Sequence, residues 1–340
     1  MRIGNVEVNG IARLAPMAAI SNAPFRLVAQ ECGSGMTTTE EIDATSLVYN
    51  SLNAQDISRY YPQERPLAMQ LLGCDADLLC AAAERLQEMG ADIIDLNMGC
   101  PVPKITKQGK GSALMREPMT TAPIIRALRK TVQVPFTVKI RGGWDNSTLN
   151  AVEVAHMLED EGVDALTVHP RTRSQQFGGR APWQIIADVV RAVRIPVTGN
   201  GDVTSMAEAR EMLATTGCAN VMIGRGAVGS PWVFDERYDG MSRPEQLRYR
   251  ERVIRRHMAL VREHYEGGDD TGRKELRQRQ HDGRTQVRKH LAWYTEGFPH
   301  SADSRLRVFR SETIEEALEV FWTFWESNVR PQYESEAAAV

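Results

Sequence analysis

Between residues 11 and 223 the chain repeats one rhythm eight times: a short apolar run, a polar exit and, in most repeats, a helix-length segment. The runs are Ile11–Pro16, Met36–Glu40, Leu67–Leu72, Ile93–Asn97, Phe136–Arg141, Ala165–His169, Ile195–Gly199 and Asn220–Ile223. Such runs suit strands buried on both faces, and the intervening helices suit parallel crossovers. Eight units with polar residues gathered at the run ends predict an α/β fold, a closed (β/α)8 TIM barrel. An open doubly wound sheet is the alternative. It would carry a GxGxxG turn after its first strand, and none is there.

Helices are expected to start near Pro24 and to cover Asp77–Met89, Pro118–Arg129, Asn150–Glu161, Pro182–Ala192 and Ser205–Leu213. In the second of these, Leu78, Ala82, Leu86 and Met89 recur at helical spacing and are expected in the core. The pattern changes after Trp232. Long helical segments follow at Arg243–Glu266, Lys274–Gly297 and Thr313–Trp325, the first two separated by Gly267 and Gly268. Ile314, Leu318, Phe321 and Trp325 form an apolar stripe on the last. The expected organisation is a catalytic barrel over 1–240, a C-terminal helical-bundle domain over 241–330 and a flexible tail over 331–340.

With 42% hydrophobic and 25% charged residues and a net charge of −3, the 340-residue chain has an ordinary soluble composition. No basic-then-apolar N-terminal run suggests a signal peptide, and no apolar stretch reaches membrane-spanning length. Five cysteines (Cys32, Cys74, Cys80, Cys100 and Cys218) form no CxxC pair and no metal-like cluster. A cytoplasmic location with free thiols and no metal is expected. The charge is unevenly spread. Residues 241–300 carry 14 Lys and Arg against 9 Asp and Glu, whereas residues 1–240 carry 23 against 27. The basic segment could hold a polyanion or be a solvated helical face.

The chemistry-bearing residues cluster at strand exits. In DIIDLNMGCP (92–101), Asn97 ends a strand and Cys100 sits three residues on, able to return over the same opening. Cys100 is the candidate reactive group; the alternative is a small buried hydrophobe. Gly199-Asn200-Gly201 and Gly224-Arg225-Gly226 follow adjacent strands, where barrel enzymes hold phosphates on backbone N–H groups, and Arg225 could add a clamp. Tight turns are the alternative for those glycines. Lys139, on a strand, suits a Schiff base or the electron-rich edge of a flavin. His169 suits acid–base work, a metal, a cofactor contact or a structural role. Gln70 and Asn97 each offer a donor and an acceptor, matching the imide edge of an isoalloxazine or a uracil.

These stretches resemble the bacterial tRNA-dihydrouridine synthases, most of all the B-type branch. The resemblance rests on LAPMAAISNAPFR (14–26), LAMQLLG (67–73), DLNMGCPVPKITKQGKGSALM (95–115) and VKIRGGWD (138–145). HPRTRSQQFGGRAPW (169–183), TGNGDV (198–203), MIGRGAVGSPWVF (222–234) and RKHLAWY (288–294) extend it over most of residues 1–325. The NMGCP block with its lysine-rich continuation is the specific part; the other blocks alone would indicate a flavin-binding barrel.

The resemblance implies FMN as cofactor, NADPH as reductant (NADH being possible) and tRNA as substrate, with the C5–C6 double bond of selected uridines reduced. It puts Pro16, Met17, Gln70, Lys139 and His169 against the flavin ring. It puts Asn200, Gly201, Asp202, Gly224 and Arg225 at the phosphate end. Asn97 would approach the reacting base, and Cys100 would be the proton donor, kept protonated by an uncharged loop. Arg141, Arg171, Arg288 and Lys289 would lie near the RNA. Pro170 departs from the Ala that many members have there; it stiffens the loop without removing a reactive side chain. A monomer is expected. The rival readings are an FMN-dependent reductase of a free pyrimidine or activated alkene, a lysine-dependent aldolase and a noncatalytic RNA-binding protein.

Overall fold

The computed structural model describes residues 1–266 and 273–334, the side chains of 266–280 excepted. The chain divides into two compact units, Met1–Gly226 and Ala227–Val340. The division falls ahead of the boundary expected at residue 240.

In the first unit, β1 (Arg2–Ile3) and β2 (Val6–Glu7) form an antiparallel hairpin. The remaining strands are β3 (Ala12–Leu14), β4 (Thr37–Thr38), β5 (Ile42–Asp43), β6 (Leu67–Leu72), β7 (Ile93–Met98), β8 (Phe136–Arg141), β9 (Ala165–His169), β10 (Val197–Asn200) and β11 (Asn220–Ile223). They run β3-β11-β10-β9-β8-β7-β6-β4, all parallel, and β5 continues the second segment along β6. This is the nearly closed eight-stranded (β/α)8 barrel that the sequence rhythm predicts. At the seam between β3 and β4, Gly35 N–H donates to Ala12 O at 3.0 Å. Ser34 Oγ accepts from Leu14 N at 2.9 Å and donates to Met36 O at 2.8 Å, joining the two segments through a side chain.

The helices of this unit are α1 (Ala23–Glu31), α2 (Ala44–Val48), α3 (Leu52–Ile57), α4 (Ala76–Glu88), α5 (Pro103–Thr106), α6 (Pro118–Thr131), α7 (Ala151–Asp160), α8 (Gln184–Ala192) and α9 (Met206–Thr216). Caps begin several of them: Asn22, Asp75 and Ser205 accept the backbone N–H groups of Phe25, Leu78 and Glu208. The buried face of α4 is Leu79, Ala82, Ala83 and Leu86: Ala82 and Leu86 are in the core as expected, whereas Leu78 is half-buried and Met89 is exposed. The lysine-rich stretch after Cys100 contains α5 and leads into a 3-10 turn, Gly111–Met115.

The hairpin decides which end of the barrel is open. Ile3 and Val8 pack with Met36, Ala68, Ile93 and Ala165 near the N-terminal ends of the strands. This apolar plug leaves the C-terminal strand ends, where the polar exits gather, as the mouth.

The second unit contains α10 (Arg243–Glu266), α11 (Arg273–Tyr294), α12 (Ser301–Arg310), α13 (Ile314–Asn328) and α14 (Pro331–Glu334). It is the expected C-terminal helical region. Phe321 and Trp325 are its fully buried aromatic centre. Gly283 lies where α11 crosses α10: a Cβ there would stand 2.7 Å from Tyr265 Cβ. Residues 331–334, expected as tail, form a helical turn. Tyr333 is buried there and its hydroxyl donates to Glu251. The Gly267-Gly268 break and the tail residues 335–340 lie outside the described residues.

Candidate active site

The barrel interior is polar below the mouth. Asp95, on β7, accepts Thr137 Oγ1 at 2.5 Å and Gln70 Nε2 at 2.7 Å. Arg13, fully buried on β3, donates to Thr167 Oγ1 at 2.8 Å. Burial pushes the Asp95 carboxyl up, against its hydrogen bonds and the charges of Arg13 and Lys139. This layer fixes the Gln70 amide: with Nε2 committed to Asp95, Oε1 faces Asn97 and accepts its Nδ2 at 2.9 Å.

Asn97 joins strand to loop. Its Oδ1 accepts the backbone N–H of Gly99 at 3.0 Å and of Cys100 at 2.8 Å. The Cys100 carbonyl accepts Ser112 N at 3.1 Å and Ser112 Oγ at 3.0 Å. Gly111 must be glycine for this closure: its φ is +62°, and a Cβ would meet Cys100 O at 2.8 Å and Cys100 Cβ at 2.9 Å. Cys100 is thus held at three points, half-buried at the mouth.

Glu41 faces the thiol. Its Oε1 lies 3.9 Å from Cys100 Sγ, and its Oε2 accepts Asn97 Nδ2 at 2.9 Å. The uncharged surroundings expected for Cys100 are therefore absent. Burial first, then the Glu41 carboxylate, pushes the Cys100 thiol up to about 11; a Val102 backbone N–H and Arg141 oppose them. Near neutral pH the sulfur is a thiol. Sequence reasoning missed Glu41. The available signal was the Glu40-Glu41 pair at the exit of the second strand segment. Glu40 accepts the Ala19 N–H and so ties down the loop after β3.

Lys139 lies beside Asn97 in register on β8, and its Nζ donates to Asn200 Oδ1 at 2.9 Å. Asn200 Nδ2 in turn donates to Met222 O at 2.8 Å. Lys139 is half-buried as a residue, but its ammonium is enclosed. Burial, then Arg141, lowers its pKa to about 7, Asp95 opposing and Arg13 adding. His169 is held well below the usual imidazole range by burial first and then by Lys139, Arg141, Arg171 and Arg225. It is a neutral ring.

Arg171 and Arg141 are not placed as expected. Arg171 is 1% exposed, and its guanidinium is filled by Asp202 and by the carbonyls of Gly178 and Gly179. Buried and saturated, it shapes the 171–181 loop and presents nothing to RNA. Arg141 is 3% exposed; it clamps Gly99 O at 2.7 Å, Thr172 O at 3.0 Å and Gln176 O at 2.9 Å. It ties the Cys100 loop to the loop after β9. Asp202 spends its carboxylate on Arg171, Arg225 and the Ala181 N–H. Desolvation would raise that carboxyl, but the Arg171 hydrogen bond and the other donors outweigh it and hold it low. As an anion it would repel a phosphate and positions the arginines instead.

Gly201 (φ +136°) passes close to His169 and Ala181, and its carbonyl accepts Trp183 Nε1 at 2.9 Å. Gly224 lies against Ala15 and the Met17 sulfur, so Pro16-Met17 and the β11 exit share one edge of the mouth. Arg225 is largely exposed, 3.0 Å from Asp202 and stacked 5.0 Å over Phe177. Phe177, which carries Arg141 on its ring as well, was not foreseen. Arg288 and Lys289 lie half-buried on α11 of the second unit.

Together the mouth offers amides (Gln70, Asn97), one titrating ammonium (Lys139), a neutral imidazole (His169), a guanidinium at a glycine exit (Arg225) and a protonated thiol (Cys100). This donor set fits a flat ring with an imide edge and an anionic tail. Among the described residues no group of three or more His, Cys, Asp or Glu is arranged to hold a metal, and no helix is long and apolar enough to cross a membrane.

Comparison with known proteins agrees. A probable tRNA-dihydrouridine synthase of Rickettsia prowazekii is 36% identical over 313 residues, covering 91% of this chain and 92% of that protein. The tRNA-dihydrouridine synthase B of Pseudomonas putida is 36% identical over 312 residues (90% and 89%). A solved structure of a 2-naphthoyl-CoA reductase complex shares the fold, with a TM-score of 0.57 at 11% identity over 72% of this chain and 52% of that one. The family model described as dihydrouridine synthase (Dus) matches residues 13–327, and the chain belongs to the dihydrouridine synthase family.

Proposed function

We propose that this protein reduces the C5–C6 double bond of particular uridines in tRNA to 5,6-dihydrouridine, with FMN as resident cofactor and NADPH as reductant. The observation that carries the reading is a thiol kept protonated at a barrel mouth lined by imide-matching amides. Bound at this mouth, FMN would supply the hydride chemistry for C6 of the uracil.

The remaining steps fall to the chain's own residues. Gln70, its donor and acceptor ends fixed by Asp95 and Asn97, would hold the ring's imide edge together with Lys139. Lys139, near pKa 7, can take up a proton where negative charge collects. Neutral His169 packs without adding charge. Arg225 and the glycines at 201 and 224 would hold the phosphate. Cys100 gives its S–H proton to C5 as charge develops there, and Asn97 fixes the backbone from which it does so. The uridine must leave its stack to reach the mouth, at a cost of a few kcal/mol, which phosphate contacts to basic residues can offset.

The test is direct. The purified protein should be yellow and release FMN on denaturation. With NADPH and unmodified tRNA it should form dihydrouridine, detected by nucleoside mass spectrometry. Colourless protein after FMN reconstitution, or unchanged tRNA with a competent flavin, overturns the reading. A free-pyrimidine reductase would instead regain its yellow colour when uracil is added to NADPH-bleached enzyme, and would leave tRNA untouched.

A further inference from the structure

The segment before β5 places a carboxylate on the Cys100 thiol, and the proposed reaction assigns it no task. Glu41 Oε2 accepts Asn97 Nδ2 at 2.9 Å while Oε1 stands 3.9 Å from Cys100 Sγ. Asn97 Oδ1 accepts the Cys100 amide at 2.8 Å. The three residues close a ring of hydrogen bonds in which the thiol hydrogen is the acidic proton when Glu41 is ionised.

The other groups around this ring do not account for Glu41. Lys110, on the loop after Cys100, is taken by Asp43 at 2.5 Å. Among the described residues Glu41 makes no ion pair. A half-buried carboxylate without its own cation is costly; here it presents an acceptor to sulfur. Arg141, on β8, and the Val102 N–H act on the same sulfur in the opposite sense. Unopposed, a cation and a backbone donor favour the thiolate, the environment that makes a cysteine a nucleophile. An acid needs the reverse.

We propose that Glu41 is a positioning residue for Cys100: its carboxylate receives the thiol hydrogen, holds the sulfur in its protonated form, and extends the pH range over which Cys100 serves as an acid. The proposal rests on the reading of Cys100 as the proton donor. When the S–H bond breaks and C5–H forms, the thiolate is left facing Glu41. That repulsion returns it to the thiol with a proton from water, and the hydroxide formed passes to the buffer. Burial, the Cys100 hydrogen bond and Asp43 act on Glu41 itself, and the net effect raises its carboxyl.

The test reads the thiolate without using activity. Alkylation of Cys100 by iodoacetamide in the protein as purified, followed by peptide mass spectrometry against pH, should show a midpoint near 11. A midpoint near the ordinary thiol value of about 8.5 overturns the proposal with no variant needed. Glu41→Gln removes the charge and keeps an acceptor; Cys100 alkylation at pH 8 should rise about tenfold, one unit of thiol pKa. Glu41→Asp keeps the charge and should stay nearer the native rate. Equal rates in native protein and Glu41→Gln overturn the proposal. The alkaline limb of single-turnover uridine reduction should shift down with the alkylation midpoint. A shifted midpoint with an unmoved limb removes Cys100 as donor, and with it the catalytic half of the proposal, while an unmoved midpoint fails Glu41 alone.

Discussion

Arg171 and Asp202 meet at the mouth as a two-pronged pair, Nη1 to Oδ1 at 2.8 Å and Nη2 to Oδ2 at 2.7 Å, with Arg171 buried and Asp202 partly exposed. Arg225 reaches the same carboxylate from the solvent side at 3.0 Å. One acid therefore serves a structural and an exposed arginine, and the two should respond differently to removal.

Arg171→Ala leaves Asp202 short of its main partner and frees two loop carbonyls. It should cost about 3 kcal/mol in chemical denaturation, the low end for breaking a buried pair because Asp202 is part-exposed. Arg225→Ala removes an exposed pair, which is worth about 0–1 kcal/mol, so stability should barely change. FMN retention, read by dialysis and flavin absorbance, should fall about tenfold as a charge-assisted phosphate contact is lost. Equal stability losses in the two variants would contradict this division.

Lys139 carries a pH signature. Its folded pKa of about 7 lies below the ordinary lysine value of about 10.4. Between those values the unfolded chain binds the extra proton, so stability of the flavin-free protein rises with pH across that window. The cost is full below about pH 7 and gone above about 10.4. Lys139→Met should accordingly raise the melting temperature of flavin-free protein, most at pH 6 and scarcely at pH 10. It should also weaken FMN binding. A stability gain independent of pH would mean that the ammonium is not enclosed as described.

Part of this was legible from the sequence. Leu67–Leu72, Phe136–Arg141, Ala165–His169 and Asn220–Ile223 have the strand limits that their apolar runs suggest, because strands buried on both faces need continuous apolar residues. The β1–β2 hairpin was not, since two-residue strands carry no periodicity. The α4 stripe was only partly legible: Ala82 and Leu86 are buried as expected, but Leu79 and the small Ala83 complete the face, and hydropathy spacing underweights an alanine. Arg171 illustrates the harder limit. An arginine beside a predicted mouth looks like an RNA contact, and only tertiary structure shows Asp202 and two carbonyls filling it. Glu41 was hidden for the same reason: its closeness to Cys100 joins residues 59 apart in the chain.

The basic segment is partly spent inside its own unit. Arg250 stacks 4.9 Å over Trp232, Arg255 pairs with Glu251, and Arg284 donates to Glu312 O. Arg288 and Lys289 are the proposed RNA contacts. Reversing both to Glu should weaken tRNA binding and lower the slope of log affinity against log salt by about 2 in magnitude, if each meets one phosphate. FMN reduction by NADPH should be unchanged. An unaltered salt slope would make the pair a solvated helix face.

The proposed role of Cys100 is the part of the chemistry most open to a decisive test. Asn97 and Ser112 hold its backbone, and Glu41 faces its sulfur, so Cys100→Ala removes the thiol and its proton but little volume. FMN content, flavin reduction by NADPH and tRNA affinity should survive. Reoxidation of prereduced enzyme by unmodified tRNA, measured in single turnover without oxygen, should slow by about 10²–10⁴, the worth of a general acid. Cys100→Ser should recover little, since a hydroxyl is a far weaker acid than a thiol. Normal reoxidation with dihydrouridine formed in Cys100→Ala would assign the proton to another group. Loss of flavin in that variant would make Cys100 a structural residue of the Asn97 loop. Intact flavin chemistry with a selectively slowed uracil step is the outcome that a protonated thiol at this position requires.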